Sequence, residues 1–387
     1  MVSTSTFTLY LEAIGEDGTL YLRCLELTNF RNFQKETFTF QQAGALVLGD
    51  NGQGKSNLLE AIHFLAIAKS VRATTESEVV CNGADAFTLR GEVSRGSHHV
   101  VLSISYSLSR GKHIHLNGEL LSRSSDLLGT FNSVIFSPED VDLALRFPAG
   151  RRRMLDIVLS QSGSSYVFDL QSYRKALAQR NRLLKFLRHD RHATIDELGP
   201  WEAELSKLCA RIVQQRLRLT ASLRPDFTKF YKELSHHSED VSISYDVAAA
   251  DVTEDTASED VYLEALARKR PDELRVGYTL VGPHRDNLSI CINGLDIQAT
   301  ASQGQLKTIL LAWKLAEGCF LQRSTGQQPV LLLDDAFSEL DRRRSDALSQ
   351  LMEHFGQIFL TSAVESEISS LPKALERIYI REGRRVS

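Results

Sequence analysis

The stretch ALVLGDNGQGKSNLLEAIHFLA, residues 45–66, decides the fold of this chain. The apolar run from Ala45 to Leu48 predicts a buried strand, and the spacing of the apolar residues after Ser56 predicts a helix. Between them lies the pattern G-x-x-x-x-G-K-[ST]. A loop of this form between a strand and a helix indicates a phosphate cradle, because glycines let backbone N–H groups close around a triphosphate.

The residue types of this loop match the needs of a bound nucleotide. The helix that follows turns unpaired N–H groups and its positive dipole end toward the phosphates. The Lys55 ammonium is suited to the β- and γ-phosphates, and the Ser56 hydroxyl is suited to Mg²⁺. The predicted nucleotide-binding residues are Gly49, Asp50, Asn51, Gly52, Gln53, Gly54, Lys55 and Ser56.

A second apolar run, residues 330–333, ends in two carboxylates and predicts the other half of the site. Asp334 would hold Mg²⁺ through water, and Asp335 would orient or deprotonate the attacking water. Lys55, Asp334 and Asp335 are therefore the candidate catalytic residues. Asp334 follows Ser56 by 278 residues, which requires an inserted lobe and disfavours small GTPases and transporter nucleotide-binding subunits of usual length.

The sequence SQGQLK, residues 302–307, begins a third predicted element. A serine and glycine backbone at a helix N-terminus is a second anion site. It is explained if Ser302, Gly304 and Gln305 complete the active site of a partner subunit, with the triphosphate held between two copies. The alternative is that Ser302 is a simple helix N-cap.

Length and patterning predict two lobes. The 387 residues, 42% hydrophobic and 24% charged with a net charge of −4, are typical of a globular protein. Alternating residues predict an antiparallel sheet beside the nucleotide-binding sheet, within an α/β lobe of residues 19–121 and 276–387. A mainly helical lobe, residues 122–275, is inserted, and residues 1–18 form an extension. No apolar run has membrane length and no signal peptide is evident, so we expect a cytoplasmic protein without a membrane partner.

Within the inserted lobe, apolar stripes over residues 166–187 and 201–223 predict a short antiparallel helical hairpin with arms of three to six turns. After it, residues 276–287 and 288–298 are predicted to pair as strands. Charge is segregated here: residues 146–224 hold sixteen Lys or Arg against seven Asp or Glu. The alternatives are a solvated helix face and a sequence-independent DNA-backbone interface. The candidate DNA-binding residues are Arg151, Arg152, Arg153, Arg180, Arg182 and Lys185.

Together these motifs resemble the ATPase head shared by ABC and structural-maintenance-of-chromosomes (SMC) proteins. Five segments are similar to the RecF family of bacterial recombination mediators in particular: NFRNF (29–33), FSPED (136–140), GRRRMLD (150–156), GPHRD (282–286) and LLLDDAFSELD (331–341). The resemblance runs from about residue 21 to 380. It departs at Asn287, where the family usually has a second acid.

The resemblance implies an ATP-binding protein that uses Mg²⁺, forms a homodimer on ATP and hydrolyses ATP weakly with stimulation by DNA. It implies binding to duplex, single-stranded and gapped DNA, with RecO, RecR and RecA as partners in repair, replication and the SOS response. It places Gly49 to Ser56 on ATP and Ser302, Gly304 and Gln305 on the other protomer's γ-phosphate.

Two other classes are considered. The first is a transport ATPase subunit, which the 278-residue separation, the basic helical insert and the missing leucine-serine-diglycine signature disfavour. The second is a chromosome-organising head with long arms, which the short predicted hairpin disfavours.

Overall fold

The computed structural model describes residues 20–95, 98–189, 195–237, 239–249, 252–338, 340–364 and 375–386. The predicted extension, residues 1–18, lies outside these residues. The chain forms two compact units. The first unit comprises Met1–Pro138 and Leu321–Ser387, and the second unit comprises Glu139–Phe320.

The strands and helices below are those of the described residues, numbered in chain order. The strands are β1 (Leu20–Phe30), β2 (Phe33–Thr39), β3 (Gly44–Leu48), β4 (Ala86–Arg95), β5 (His98–Ser107), β6 (Gly111–Leu116), β7 (Glu119–Leu120), β8 (Ser133–Phe136), β9 (Val241–Asp246), β10 (Asn287–Ile292), β11 (Leu295–Asp296), β12 (Val330–Leu333), β13 (Ile358–Ser362), β14 (Glu376–Arg381) and β15 (Arg384–Val386). The helices are α1 (Lys55–Ile67), α2 (Asp140–Leu145), α3 (Pro148–Ser162), α4 (Ser164–His189), α5 (Gly199–Leu234), α6 (Glu259–Val276), α7 (Ile297–Thr300), α8 (Gln303–Thr325) and α9 (Arg342–Met352).

The first unit contains the predicted antiparallel sheet, with strand order β2-β1-β4-β5-β6-β7. The turn at Asn117-Gly118 has positive φ at both residues, 51° and 86°, as expected for the Asn-Gly hairpin that the sequence indicates. The second sheet has the order β15-β14-β3-β13-β12-β8, and its strands are parallel except β15. The prediction of antiparallel and mixed sheets is therefore confirmed.

The core of the first unit forms where α1 packs against both sheets. The buried rings of Phe30, Phe64 and Phe87 meet edge to face, with centroids 5.5–5.9 Å apart. Each such pair contributes about 0.5–1.5 kcal/mol to the stability, beyond the contribution of its buried area. Gln357 also joins the sheets, because its side-chain Nε2 donates to the Leu22 carbonyl at 2.9 Å. This packing fixes the N-terminus of α1, which carries the phosphate loop.

The second unit contains the predicted antiparallel helical hairpin, formed by α4 and α5. Arg180 pairs with Glu202, while Arg211 pairs with Asp169, so the two helices run in opposite directions. The predicted arm length is wrong for α5, which has 36 residues and is about 54 Å long at 1.5 Å per residue. Apolar positions continue past the predicted stripe to Leu234, and Pro225 is accommodated within the helix.

The predicted pairing of residues 276–287 with 288–298 is wrong. β10 pairs with β9, Val241–Asp246, which alternates buried and exposed residues within an acidic stretch. The strand that follows the GPHRD segment therefore belongs to the second unit, whereas β8 belongs to the first. The two units are divided in the sequence after Pro138 and after Phe320, whereas the predicted lobes are divided after residues 121 and 275.

None of the helices in the described part of the chain has both the length and the apolar character that a membrane crossing needs.

Candidate nucleotide site

Three adjacent parallel strands bring the two predicted halves of the site together. β3 ends at Leu48 before the phosphate loop, and β12 ends at Leu333 before Asp334. β13 lies between them, with Leu360 opposite Leu333 and Ser362 opposite Leu48. Because the carboxyl ends of parallel strands meet at one edge, segments 278 residues apart in sequence become neighbours.

The phosphate loop begins at Gly49, where the backbone allows no other residue. Its φ is 152°, and a Cβ atom there would lie 2.3 Å from the carbonyl oxygen of Ile380 in β14. A side chain would therefore push the loop away from the strand beside it. The close approach of Gly49 to β14 sets the position of the whole loop.

The Lys55 side chain lies inside the loop that precedes it. Its Nζ donates to the carbonyl oxygens of Gly49 at 2.6 Å and Asp50 at 2.9 Å, which takes up two of its three N–H donors. Burial lowers the pKa of Lys55, and the charge of Asp334 opposes that shift. The loop thus holds a positive charge at its centre, where the phosphates of a nucleotide would lie.

Asp334 connects the two halves of the site. Its Oδ1 accepts hydrogen bonds from the hydroxyls of Ser56 at 2.8 Å and Thr361 at 2.7 Å. Its Oδ2 forms a 2.8 Å ion pair with Nη2 of Arg72. The carboxylate is 5% exposed, so its charge is compensated by this arginine and by two hydroxyls. The structure therefore brings together the two residues predicted to serve Mg²⁺.

Asp335 lies beside Asp334 in a left-handed backbone conformation, with φ of 47°. Its N–H donates to Thr361 Oγ1 at 2.9 Å, and its carbonyl accepts from Ser338 Oγ at 2.9 Å. Both backbone groups are thereby fixed while the side chain stays half-buried. The role of Asp335 toward the attacking water remains a prediction.

The donor set of the site fits Mg²⁺ bound with a nucleotide. Mg²⁺ prefers oxygen ligands, keeps several waters and takes one or two carboxylates together with substrate phosphates. Ser56 and Asp334 supply a hydroxyl and a carboxylate at hydrogen-bonding distance from each other. Within the described residues no cluster of three or more His, Cys, Asp or Glu could hold a metal by itself. Bound phosphates would therefore have to complete the coordination.

The turn between β1 and β2 holds the phosphate loop from the other side. Asn32 Nδ2 donates to the Gln53 carbonyl at 2.9 Å, and Asn32 Oδ1 accepts from Asn57 Nδ2 at 2.9 Å. Sequence analysis missed Asn32, Arg72 and Thr361 as site residues. A signal existed for Thr361, because a polar residue at the end of a buried strand reaches the same edge as Asp334. No comparable signal exists for Arg72, which lies in a loop after α1.

Ser302 and Gln305 form a capping box at the start of α8. The Ser302 hydroxyl accepts from the Gln305 N–H at 3.3 Å, and the Ser302 N–H donates to Gln305 Oε1 at 2.8 Å. Gln305 Nε2 also donates to Glu239 at 2.6 Å. Ser302 and Gly304 are exposed. In the single chain Ser302 thus acts as the N-cap of α8, which is the alternative given above. A role of Ser302 toward a partner's nucleotide stays a prediction.

The predicted DNA-binding cluster is wrong for two of its members. Arg151 is fully buried, and its guanidinium donates to the Leu145 carbonyl at 2.6 Å and to Asn287 Oδ1 at 2.9 Å. Arg180 is also fully buried and pairs with Glu202 at 2.8 Å and Glu273 at 2.6 Å. Buried, paired guanidinium groups cannot reach a DNA backbone, so both residues stabilise the second unit instead.

The remaining candidates have different exposures. Arg152 is half-buried, and its Nη1 donates to the carbonyl of Asp286 at 2.8 Å. Arg153, Arg182 and Lys185 are exposed. These three side chains keep the access to solvent that a DNA contact requires.

The phosphate loop at the carboxyl edge of the parallel strands, the acidic end of β12 and the neighbouring antiparallel sheet define a P-loop ATPase head of the ABC/SMC type. The model of the RecF/RecN/SMC N-terminal domain family matches residues 21–386. The DNA replication and repair protein RecF of Salinibacter ruber is 35% identical over 94% of this chain and 91% of its own. The chain therefore belongs to the RecF family.

Solved structures agree with this assignment. The structure of the recombination mediator protein RecF with ATP in the RecFOR pathway has a TM-score of 0.84 and 34% identity, covering 96% of this chain and 99% of that chain. An SMC head domain with an extended coiled coil, derived from Pyrococcus furiosus, has a TM-score of 0.54 and 17% identity, covering 95% of each chain. The second likeness concerns the fold alone.

Proposed function

We propose that this protein is an ATP-dependent DNA-binding protein of recombinational repair. It binds ATP with Mg²⁺, hydrolyses it weakly under stimulation by DNA, and forms a homodimer in the ATP state. The observation that carries the proposal is the hydrogen bond of 2.8 Å between Ser56 and Asp334, which joins the phosphate loop to the acidic strand end. A relative named DNA replication and repair protein RecF and a solved RecF complex with ATP support it.

In this proposal each residue of the site has a defined task. Lys55 exchanges its contacts with the loop carbonyls for contacts with the β- and γ-phosphates, since an ammonium can redirect its three donors. Ser56 and Asp334 would hold Mg²⁺, the latter through water, and the bound ion would supply positive charge against the charge that develops on the phosphates. Asp335 orients the attacking water from the end of β12.

The dimer accounts for the exposed capping box of α8. The γ-phosphate of one protomer is contacted by Ser302, Gly304 and Gln305 of the other, which uses the N–H groups at that helix terminus. Because ADP lacks this phosphate, the ATP state gains the differential contact that a nucleotide-controlled dimer needs. Gln305 would give up its bond to Glu239 when the dimer forms.

The DNA interface in the second unit is revised from the predicted cluster to an exposed basic surface. A Cβ atom at Gly277 would lie 3.6 Å from both Lys185 and Arg188, which puts the following residue, Tyr278, next to the end of α4. The guanidinium of Arg285 lies 5.0 Å from the ring centroid of Tyr278. All four side chains are exposed. Lysine and arginine bind phosphates and tyrosine can stack on bases, so this surface suits sequence-independent contact with DNA.

The proposal extends to the cellular role. In this role the protein acts with RecO and RecR to place RecA at single-strand gaps and takes part in replication and the SOS response. The solved RecF structure, described as a recombination mediator in the RecFOR pathway, supports this role.

The test is DNA binding measured with ATP, with ADP and without nucleotide on duplex, single-stranded and gapped DNA. We expect ATP to raise the affinity and expect the affinity to fall steeply with salt for every sequence tried. Affinity that does not respond to nucleotide would contradict the proposal. Lys185→Gln with Arg285→Gln should weaken binding, whereas the paired change Arg110→Gln with Arg123→Gln, at exposed sites in the first unit, should not.

A further inference from the structure

The C-terminal hairpin of β14 and β15 presents a basic face. Cross-strand pairing puts Tyr379 opposite Val386 and Arg381 opposite Arg384, so these four side chains project from the same face of the hairpin. All four are exposed, and Tyr379 is 42% exposed. Arg377, two residues before Tyr379, projects from this face as well. Among the described residues of the hairpin, this face therefore combines three arginines with one aromatic ring and carries no acidic side chain.

The opposite face of the hairpin is partly buried, and its arginine is paired within the chain. Ile378 and Ile380 are buried in the core of the first unit. Arg385, which is directly opposite Ile380, pairs with Glu376 at 2.9 Å. The cation on the inner face is thus held by an intramolecular partner, whereas the cations Arg381 and Arg384 point to solvent.

The turn of the same hairpin is bonded to the phosphate loop. The Glu382 N–H donates to Gln53 Oε1 at 2.6 Å, and the Gly383 N–H donates to the Gln53 carbonyl at 3.0 Å. Gly383 has φ of 69°, and a Cβ atom there would lie 2.2 Å from the Asn32 carbonyl oxygen, so the turn fits closely against the β1–β2 turn. The loop also meets β14 at Gly49. Any displacement of the hairpin must therefore act on the loop at two points.

We propose that the exposed face of this hairpin contacts the DNA phosphate backbone and that Gln53 transmits this contact to the phosphate loop. The inference rests on the proposed function and adds a second DNA contact, in the unit that binds ATP. Arginine pairs with phosphate oxygens without regard to sequence, and the ring of Tyr379 offers a stacking surface to an unpaired base. DNA at this face would hold the hairpin and, through two hydrogen bonds to Gln53, the loop that surrounds the triphosphate.

The first experiment measures the salt dependence of DNA binding by the full chain with ATP and Mg²⁺. Arg381→Gln with Arg384→Gln should flatten the slope of log K against log salt by about 1.8, which is two phosphate contacts at about 0.9 each. Arg381→Lys with Arg384→Lys should retain the slope. The matched control, Arg110→Gln with Arg123→Gln, removes the same charge from exposed turns elsewhere in the first unit and should leave the slope as it is.

The second experiment measures the ratio of ATP turnover with and without DNA. Gln53→Ala removes the side-chain bond to Glu382 and should bring this ratio toward one. Both rates are measured at saturating ATP, because Gln53 lies in the phosphate loop. An unchanged slope in the Arg381→Gln/Arg384→Gln chain, or the same loss in the control chain, would overturn the DNA contact. Full stimulation in the Gln53→Ala chain would overturn the transmission. If the unmodified chain bound no DNA, both this inference and the proposed function would fail.

Discussion

Replacing Arg180 by Met should destabilise the second unit and leave DNA contact intact. The guanidinium is fully buried between Glu202 and Glu273, and it also donates to Thr279 Oγ1 at 2.8 Å. Methionine occupies a similar volume without charge. Glu202 keeps Arg270 at 2.5 Å, but Glu273, with a side chain that is 0% exposed, loses its cation.

The expected cost follows from that unpaired carboxylate. Removing one partner of a buried ion pair costs about 3–5 kcal/mol, because the remaining charge stays away from water. Glu273 keeps the Leu280 N–H at 2.6 Å, which places the expected loss near the lower end, about 3 kcal/mol. The second change Glu273→Gln removes the buried charge and retains an acceptor for Leu280. The double variant should therefore regain about half of the loss.

The assay is urea-induced unfolding followed by helix content, with DNA affinity measured on the same samples. The control is Lys185→Met, five positions along the same helix, exposed, and part of the proposed DNA surface. It should change the free energy of unfolding by less than about 0.5 kcal/mol but weaken DNA binding. If the chain with Arg180→Met were as stable as the unmodified chain and lost DNA affinity as the control does, the assignment of Arg180 as a structural residue would be refuted.

Three further outcomes are expected. Lys55→Arg should strongly reduce ATP turnover, because a planar guanidinium does not replace a compact ammonium between the loop carbonyls. Asp334→Asn should reduce turnover by about 10–100-fold, since it weakens the hold on Mg²⁺ and leaves Arg72 without its carboxylate. Burial lowers the pKa of His284 to about 4, so the unfolded chain takes up a proton between pH 6.5 and 4 that the folded chain does not. Stability should fall by about 2–3 kcal/mol as pH drops through this range, and His284→Gln should remove that part of the loss.

Each of these outcomes has a direct check. Steady-state ATP turnover decides the first two, and turnover equal to that of the unmodified chain would exclude the residue concerned from the mechanism. For Asp334→Asn, turnover should also respond less steeply to the Mg²⁺ concentration. Urea unfolding at pH 4.5 and 7.5 decides the third. An equal pH dependence in the His284→Gln chain would show that His284 is not the group that titrates.

The parts of the site that sequence predicted are those defined locally. The phosphate loop follows from glycine spacing between a strand and a helix, and the acidic strand end follows from an apolar run closed by carboxylates. Their meeting was predictable because parallel strands share one edge. The contact between Asp334 and Arg72 was not, since no local pattern relates a loop arginine to a carboxylate 262 residues away.

The errors concern burial and long-range pairing. Counting charges makes Arg151 and Arg180 candidates for a DNA interface. The count does not show that Glu202 and Glu273, 22 and 93 residues away in sequence, pair with Arg180 in the folded chain. The pairing of β9 with β10 was hidden for a related reason. Val241–Asp246 lies in an acidic stretch whose composition conceals a strand with regular alternation.

The measurement that tests the account most directly is the mass of the full chain in solution with Mg²⁺ and ATP, with Mg²⁺ and ADP, and without nucleotide. Sedimentation should give a dimer of the 43.3 kDa chain with ATP and a monomer in the other two states, because in the proposed dimer only the γ-phosphate of ATP contacts both protomers. Ser302→Arg should abolish the dimer while ATP binding is kept. One mass in all three states would contradict the account.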